Sequence, residues 1–295
     1  MTEYRISHVT TYQYSEPVRV CHNLVLLSPR VSPALECLSH RITIKPTPQL
    51  QADRVDFFGN PVRTFSIEES HRQLVVSAHS HVRVHYAERI DVLQSDPWEQ
   101  VIEEVRQRTD PHWLEAARFS FDSSRVRRAS IYREYAADCF TTNRPILDAV
   151  FELTQRIHRD FTYDASATTV DTTAPEAFQI RRGVCQDFAH VQLACLRSLG
   201  IAARYVSGYL RTVAPPGGEK LVGADQSHAW ISVYAGRRGW VDFDPTNKCV
   251  VHEDHIPIAI GRDYQDVIPV RGVFLGGGSH ALTVSVDVTP LHSAE

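Results

Sequence analysis

Near residue 95 the hydrophobic pattern changes its period, and that change constrains the fold more than any other feature of the chain. Before it, "YRISHVTTYQY" (4–14), "RITIK" (41–45) and "HVRVHY" (81–86) alternate with the two-residue period of half-buried strands. "FFGNPV" (57–62) supplies turn residues between two such runs. After it, Trp98, Val101 and Val105 fall on one helical face, with Asp96 and Pro97 as an N-cap and first-turn pair. Ile146, Ala149, Val150, Leu153 and Ile157 then form a second helical stripe beyond a polar stretch at 118–143. The pattern predicts an α+β protein. Residues 1–95 form an N-terminal antiparallel β domain. Residues 96–295 form a second domain, helical over 96–160, with a core at 161–250 and C-terminal strands over 251–295.

Composition removes several function classes. Among 295 residues the formal net charge is −4, which offers no broad basic surface for nucleic acid. No apolar run is long enough to cross a bilayer, and "MTEYRISHVTTYQYSEP" lacks the charge and apolar order of a secretory signal. Six cysteines stand singly at 21, 37, 139, 185, 195 and 249, a pattern of free thiols in a reducing compartment. A cytoplasmic protein is therefore expected, with no membrane or nucleic-acid partner.

The second domain carries the chemistry. Thr173 and Glu176 match a capping box before "PEAFQIR", and Gly183 breaks that helix. A new helix starts at about Cys185, runs inward through Phe188, Val191, Cys195 and Leu199, and stops at Gly200. Cys185 thus lies where a helix N-terminus favours a thiolate. Downstream, "SHAWISVYA" and "GWVDFD" read as two strands of a hairpin turning near Gly236. Folding them together brings His228 within a residue or two of Asp244, and on one face an imidazole–carboxylate hydrogen bond is feasible. Asp242 shares that face, so spacing alone leaves the two carboxylates nearly tied. Cysteine, histidine and aspartate in these positions could act as nucleophile, base and orienting acid.

"GVCQDFAH", "RYVSGYL", "SHAWISVY" and "WVDFDPTN", in this order, resemble the transglutaminase-like superfamily of cysteine acyl-transfer proteins. "FFGNPV" and "GRDYQDVIPVRG" narrow the resemblance to its bacterial branch with an N-terminal β domain. The resemblance implies a papain-like core, with the nucleophile helix packed on an antiparallel sheet. It also implies a Cys185–His228–Asp244 triad, which favours Asp244 over Asp242. Gln179, six residues before the cysteine, is the implied oxyanion side chain, and Tyr163 in "FTYD" competes with it. Calcium-dependent animal transglutaminases carry Gln-Cys-Trp, whereas this chain reads Val184-Cys185-Gln186. The resemblance therefore implies thiol acyl chemistry on a peptide or protein amide, more often hydrolysis than cross-linking. Amine transfer, or a binding module with an idle triad, are the alternatives.

Other features carry blander readings. Cys195 is a core thiol by its place on the inward stripe. His190 pairs with Cys185 at a spacing that parts them on a helix, so it reads as packed or capping. "VHEDH" (251–255) reads as a solvated loop and "HVRVH" (81–85) as a strand face, and neither has the ligand count of a zinc site. No metal or cofactor is called for. Trp230 and Gln186 are candidates to line the cleft, and the polar loop at 211–226 is a candidate gate.

Overall fold

A computed structural model describes residues 1–85, 90–211 and 226–291. The first half is built on one long strand, β1 (Thr2–Val25), whose alternate residues Tyr4, Ile6 and His8 are buried. It is followed by β2 (Leu35–Lys45), β3 (Leu50–Val55), β4 (Pro61–Ile67) and β5 (His71–Val84), in the sheet order β2-β5-β1-β4-β3. The register of β1 on β5 shifts between Gln13 and Val18, and beyond that point β1 exchanges β5 for β4 as its neighbour.

Four helices come next: α1 (Trp98–Gln107), α2 (Pro111–Ala117), α3 (Ser130–Ala137) and α4 (Ile146–Asp160). α3 falls within the 118–143 stretch whose polarity hid any helical period, and α2 ends just before it. Asp96 does not cap α1. The helix begins at Trp98 with Pro97 in the cap position, one residue too late for Asp96, whose carboxylate instead pairs with Arg237 at 2.6 Å.

The core then assembles from β6 (Thr162–Tyr163), α5 (Ala174–Ile180), β7 (Arg182–Gly183), α6 (Cys185–Leu199), β8 (Ala203–Leu210), β9 (Gln226–Tyr234), β10 (Trp240–Asp244), β11 (Cys249–Val250) and β12 (His255–Gly261). The strands from β8 on form an antiparallel sheet in the order β11-β10-β9-β8-β12. Thr173 and Glu176 cap α5, the Glu176 carboxylate accepting from the Thr173 N–H at 2.8 Å. In α6 burial extends past the stripe to every residue from Asp187 to Leu199 except Ser198, because α3, α4 and α5 cover the faces that the sheet does not. Even Arg197 is buried there, its guanidinium donating to the carbonyls of Phe119, Ala203 and Arg262 and to the Ser123 hydroxyl.

The C-terminal strands do not extend the core. β13 (Val270–Gly276) and β14 (His280–Leu291) return to the first sheet, lying against the second and first halves of β1. Residues 270–291, grouped with the second domain on sequence, thus pair with the first. An apolar cluster of Tyr4, Ile6, Leu35, Val82 and Val84 with Tyr209, Ile256 and Ile258 joins the two sheets.

Candidate active site

Local structure around Cys185 is set by one carboxylate. Asp187, buried in the first turn of α6, accepts from the Val184 N–H at 2.8 Å and from the Thr168 hydroxyl at 2.7 Å. The first bond satisfies one of the orphan donors of a helix start, and the second ties the preceding loop to it. Burial pushes the Asp187 carboxyl up, and these two hydrogen bonds oppose the push. Gly183 is required for this arrangement. Its φ is +153°, and a Cβ there would stand 2.3 Å from the Asp187 carboxylate. Cys185 emerges partly buried at the first position of a fifteen-residue helix, inside the field of its N-terminus.

His228 approaches from β9, only 8% exposed. It is hydrogen-bonded through Nε2 to Asp244 Oδ2 at 2.7 Å, and the Cys185 thiol is near enough to act on its charge. With Nε2 taken by the carboxylate, Nδ1 is the nitrogen left for the thiol. Burial opposes the imidazolium, yet the Asp244 hydrogen bond and the neighbouring Cys185 overcome it and raise the His228 pKa to about 10. Hairpin register explains the meeting. Asp242 lies opposite Ser232 and Phe243 opposite Ile231, so Asp244 sits diagonally across from His228. Asp242 instead accepts from the Trp230 indole N–H at 3.0 Å.

Asp244 is fully buried and accepts five hydrogen bonds. Oδ1 takes the backbone N–H groups of Thr246 at 2.8 Å and Asn247 at 3.1 Å. Oδ2 takes His228, the Asn247 amide at 2.7 Å and His255 Nε2 at 3.0 Å. Burial alone would raise the carboxyl; the donors, His228 first, hold it well below the usual carboxylate range.

His255 is the residue that sequence reasoning missed. "VHEDH" is not solvated throughout: His252 is exposed, but His255 is 1% exposed at the start of β12. It reaches Asp244 from the far side of the sheet, where Gly208 leaves room. A Cβ at Gly208 would come within 2.5 Å of the Trp230 ring and 2.3 Å of the Ile256 carbonyl. Trp230 fills that space, fully buried between His228 and His255, with ring centroids 6.0 and 5.3 Å away. It is a packing residue and presents no face to a cleft.

The remaining candidates separate. Tyr163 is half exposed on β6, paired with Gly183, and both burial and the nearby Cys185 raise its pKa. Gln179 is exposed on α5 and its side chain makes no hydrogen bond among the described residues. Gln186 is partly buried and donates to the Val170 carbonyl at 3.1 Å. His190 is buried and accepts from the Tyr264 N–H at 3.2 Å, a capping role. Cys195 is fully buried, and burial drives its thiol pKa strongly upward. Nearly all of the 211–226 loop lies outside the described residues. Among the described residues, His228, Asp244 and His255 place three ligand atoms within 4.8 Å of one another, a spacing a metal could bridge. Both imidazole Nε2 atoms are already committed to Asp244, so a metal would have to displace the protons they share.

Comparison with known proteins agrees with this architecture. Residues 4–83 match the model of the bacterial transglutaminase-like N-terminal region, and residues 133–245 match that of the transglutaminase-like superfamily. The chain belongs to the bacterial transglutaminase-like family. An uncharacterized protein of Mycobacterium tuberculosis is 39% identical over 292 residues, covering 97% of this chain and 92% of the relative. A protein-glutamine gamma-glutamyltransferase of Pseudomonas aeruginosa is 36% identical over 101 residues, which is 33% of this chain and 15% of that one. A Cytophaga hutchinsonii structure, assigned by name to the cysteine proteases, superposes with a TM-score of 0.77 at 22% identity. That match covers 100% of this chain and 92% of the other and supports the α+β fold. Among the described residues, no helix is long and apolar enough to cross a membrane.

Proposed function

We propose that the protein is a cysteine-dependent acyl-transfer enzyme that hydrolyses amide or peptide bonds. The observation that carries this reading is His228 bonded to a buried, five-fold bonded Asp244, with Cys185 beside the imidazole at the start of α6.

Cys185 attacks the substrate carbonyl as a thiolate, forming the C–S bond. His228, held as imidazolium by Asp244, gives its proton to the leaving amine as the C–N bond breaks. A thioester remains on Cys185. Water, deprotonated by the now neutral His228, attacks it and releases the acid. The carbonyl oxygen is held at the start of α6 by the Cys185 N–H, with the Tyr163 hydroxyl as second donor. Tyr163 takes this role over Gln179 because it lies beside the nucleophile. Asp244 orients His228, and His255 and Asn247 orient Asp244. Six unpaired cysteines support a reducing compartment.

The test is a peptide library containing glutamine residues, incubated with the protein and a fluorescent primary amine. Hydrolysis predicts free acid products, loss of all turnover in Cys185→Ala, and little amine adduct. Amine adduct outpacing acid product would replace hydrolysis by transfer. Turnover that persists in Cys185→Ala would end the thiol mechanism.

A further inference from the structure

A second polar site lies on the same sheet face as His228, further along the strands. Arg204 on β8 is paired with Ser232 on β9, which is paired with Asp242 on β10, so these three side chains form one row. The row is four residues, or about 13 Å, along β9 from His228. Trp230 fills the interval. Arg204 and Asp242 line a cavity of about 1710 Å³, whose other walls include Arg30, Trp113 and Trp240; Cys185 and His228 are not part of its lining.

Two of the arginines in this cavity, Arg30 and Arg204, both partly buried, are unlike the buried Arg197. Arg197 has its guanidinium saturated by carbonyls and a hydroxyl. Arg204 and Arg30 have no ion pair and no side-chain hydrogen bond among the described residues, and the Nε of each is buried without a partner. Arg204 lies over the Trp240 ring, its guanidinium carbon 4.1 Å from the centroid. Burial pushes its pKa down to about 10. Asp242 and Glu115 act against the push, and the charge of Arg30 adds to it. Asp242, in the same row as Arg204, accepts from the Trp230 indole N–H. The Ser232 hydroxyl beneath is also buried and unpartnered. Arg30 and Arg204 line one cavity, and buried guanidinium donors left unpartnered favour a bound acceptor that carries negative charge.

We propose that Arg30 and Arg204 form an oxyanion-binding site, separate from the catalytic centre, for the carboxylate or phosphate group of a small ligand. The guanidinium of Arg204, stacked on Trp240, offers the planar fork that carboxylates and phosphates accept in pairs. Trp240 and Val206 would support the apolar part of the ligand.

The experiment follows the melting temperature of the full chain against inorganic phosphate and against N-acetylglycine, each matched in ionic strength with chloride. At least one anion should raise it saturably above the chloride control. Arg204→Gln and Arg30→Gln should each weaken half-saturation about ten-fold or more. Arg237→Gln, in the same cavity wall but paired with Asp96, should leave it unchanged. Tighter binding of phosphate assigns a phosphate ligand, and tighter binding of N-acetylglycine a carboxylate. Should Arg204→Gln not fold, Arg30→Gln with anion-induced change in tryptophan fluorescence decides. No shift beyond chloride, or a shift unaltered in both arginine variants, overturns the proposal.

Discussion

His228 and His8 are buried to nearly the same degree, at 8% and 1% exposure, yet they hold protons in opposite ways. His8 sits where the two sheets meet, with Nδ1 on the Tyr209 hydroxyl at 2.8 Å and Nε2 on the Thr10 hydroxyl at 2.9 Å. These partners are neutral, so burial prevails and lowers its pKa to about 4. His228 faces the same burial, but Asp244 stands 2.7 Å away and raises its pKa to about 10. His255 sharpens the contrast. It touches the same carboxylate, and its pKa is still lowered, because burial outweighs a carboxylate already shared with His228. What separates the charged histidine from the neutral ones is the balance of attraction against burial: His228 gains enough from Asp244 and the neighbouring Cys185, His8 meets no carboxylate, and His255 has to share one with the charged His228.

The largest effect should come from removing that carboxylate. Asp244→Asn should turn His228 into a neutral histidine like His8, and turnover should fall on the order of 10⁴-fold. Asp244→Ala, which leaves two imidazoles and an amide without their acceptor, should cost about 3–5 kcal/mol in urea unfolding. A fall of less than ten-fold in Asp244→Asn would break the comparison.

His8 should give the next largest effect, through pH. Because its folded pKa lies below that of the unfolded chain, the unfolded state binds the extra proton between about pH 6.5 and 4. Stability should therefore decline as pH falls through that window, on the order of 3 kcal/mol by pH 4. His8→Gln should flatten this limb. His228 runs the other way: its contribution is full below about pH 6.5 and is lost as pH rises through about 10. Asp244, held low, contributes above the ordinary carboxylate range and loses that only in strong acid. Equal acid limbs in wild type and His8→Gln would mean that the neutral histidine is not the titrating group.

The smallest effect is assigned to His255, a positioning residue. His255→Leu should lower kcat about ten-fold, the loss of one bond to a charged group, with KM little changed. His255→Gln, which keeps a donor, should recover most of that. A purely structural role would lower the melting temperature without this split between the two variants.

Cys185, His228 and Asp244 stood out in the sequence as candidates for separate reasons. Cys185 stands after a glycine that only a helix start explains, and a single hairpin register links His228 to Asp244. Choosing Asp244 over Asp242 needed the family resemblance, because the two alternate on one strand face and differ only in what they meet above the sheet. His255 was not legible. Its strand lies on the far edge of the core sheet from β10, and its reach to Asp244 depends on the missing side chain of Gly208. Trp230 was ambiguous for the same reason, since period two gives a face but not what covers it. The return of β13 and β14 to β1 escaped because their partners lie over 240 residues away in sequence, and local alternation carries no address.

The most direct measurement of the central claim is the rate of Cys185 alkylation by iodoacetamide at pH 6.5, in wild type and in His228→Ala, with the other five cysteines as internal references. An ordinary thiol of pKa about 8.5 is only about 1% ionised at that pH. If His228 holds Cys185 as a thiolate, Cys185 should outrun the reference cysteines, and the substitution should slow it by up to about 100-fold. Equal rates in the two proteins would contradict the ion pair and, with it, the catalytic reading of the site.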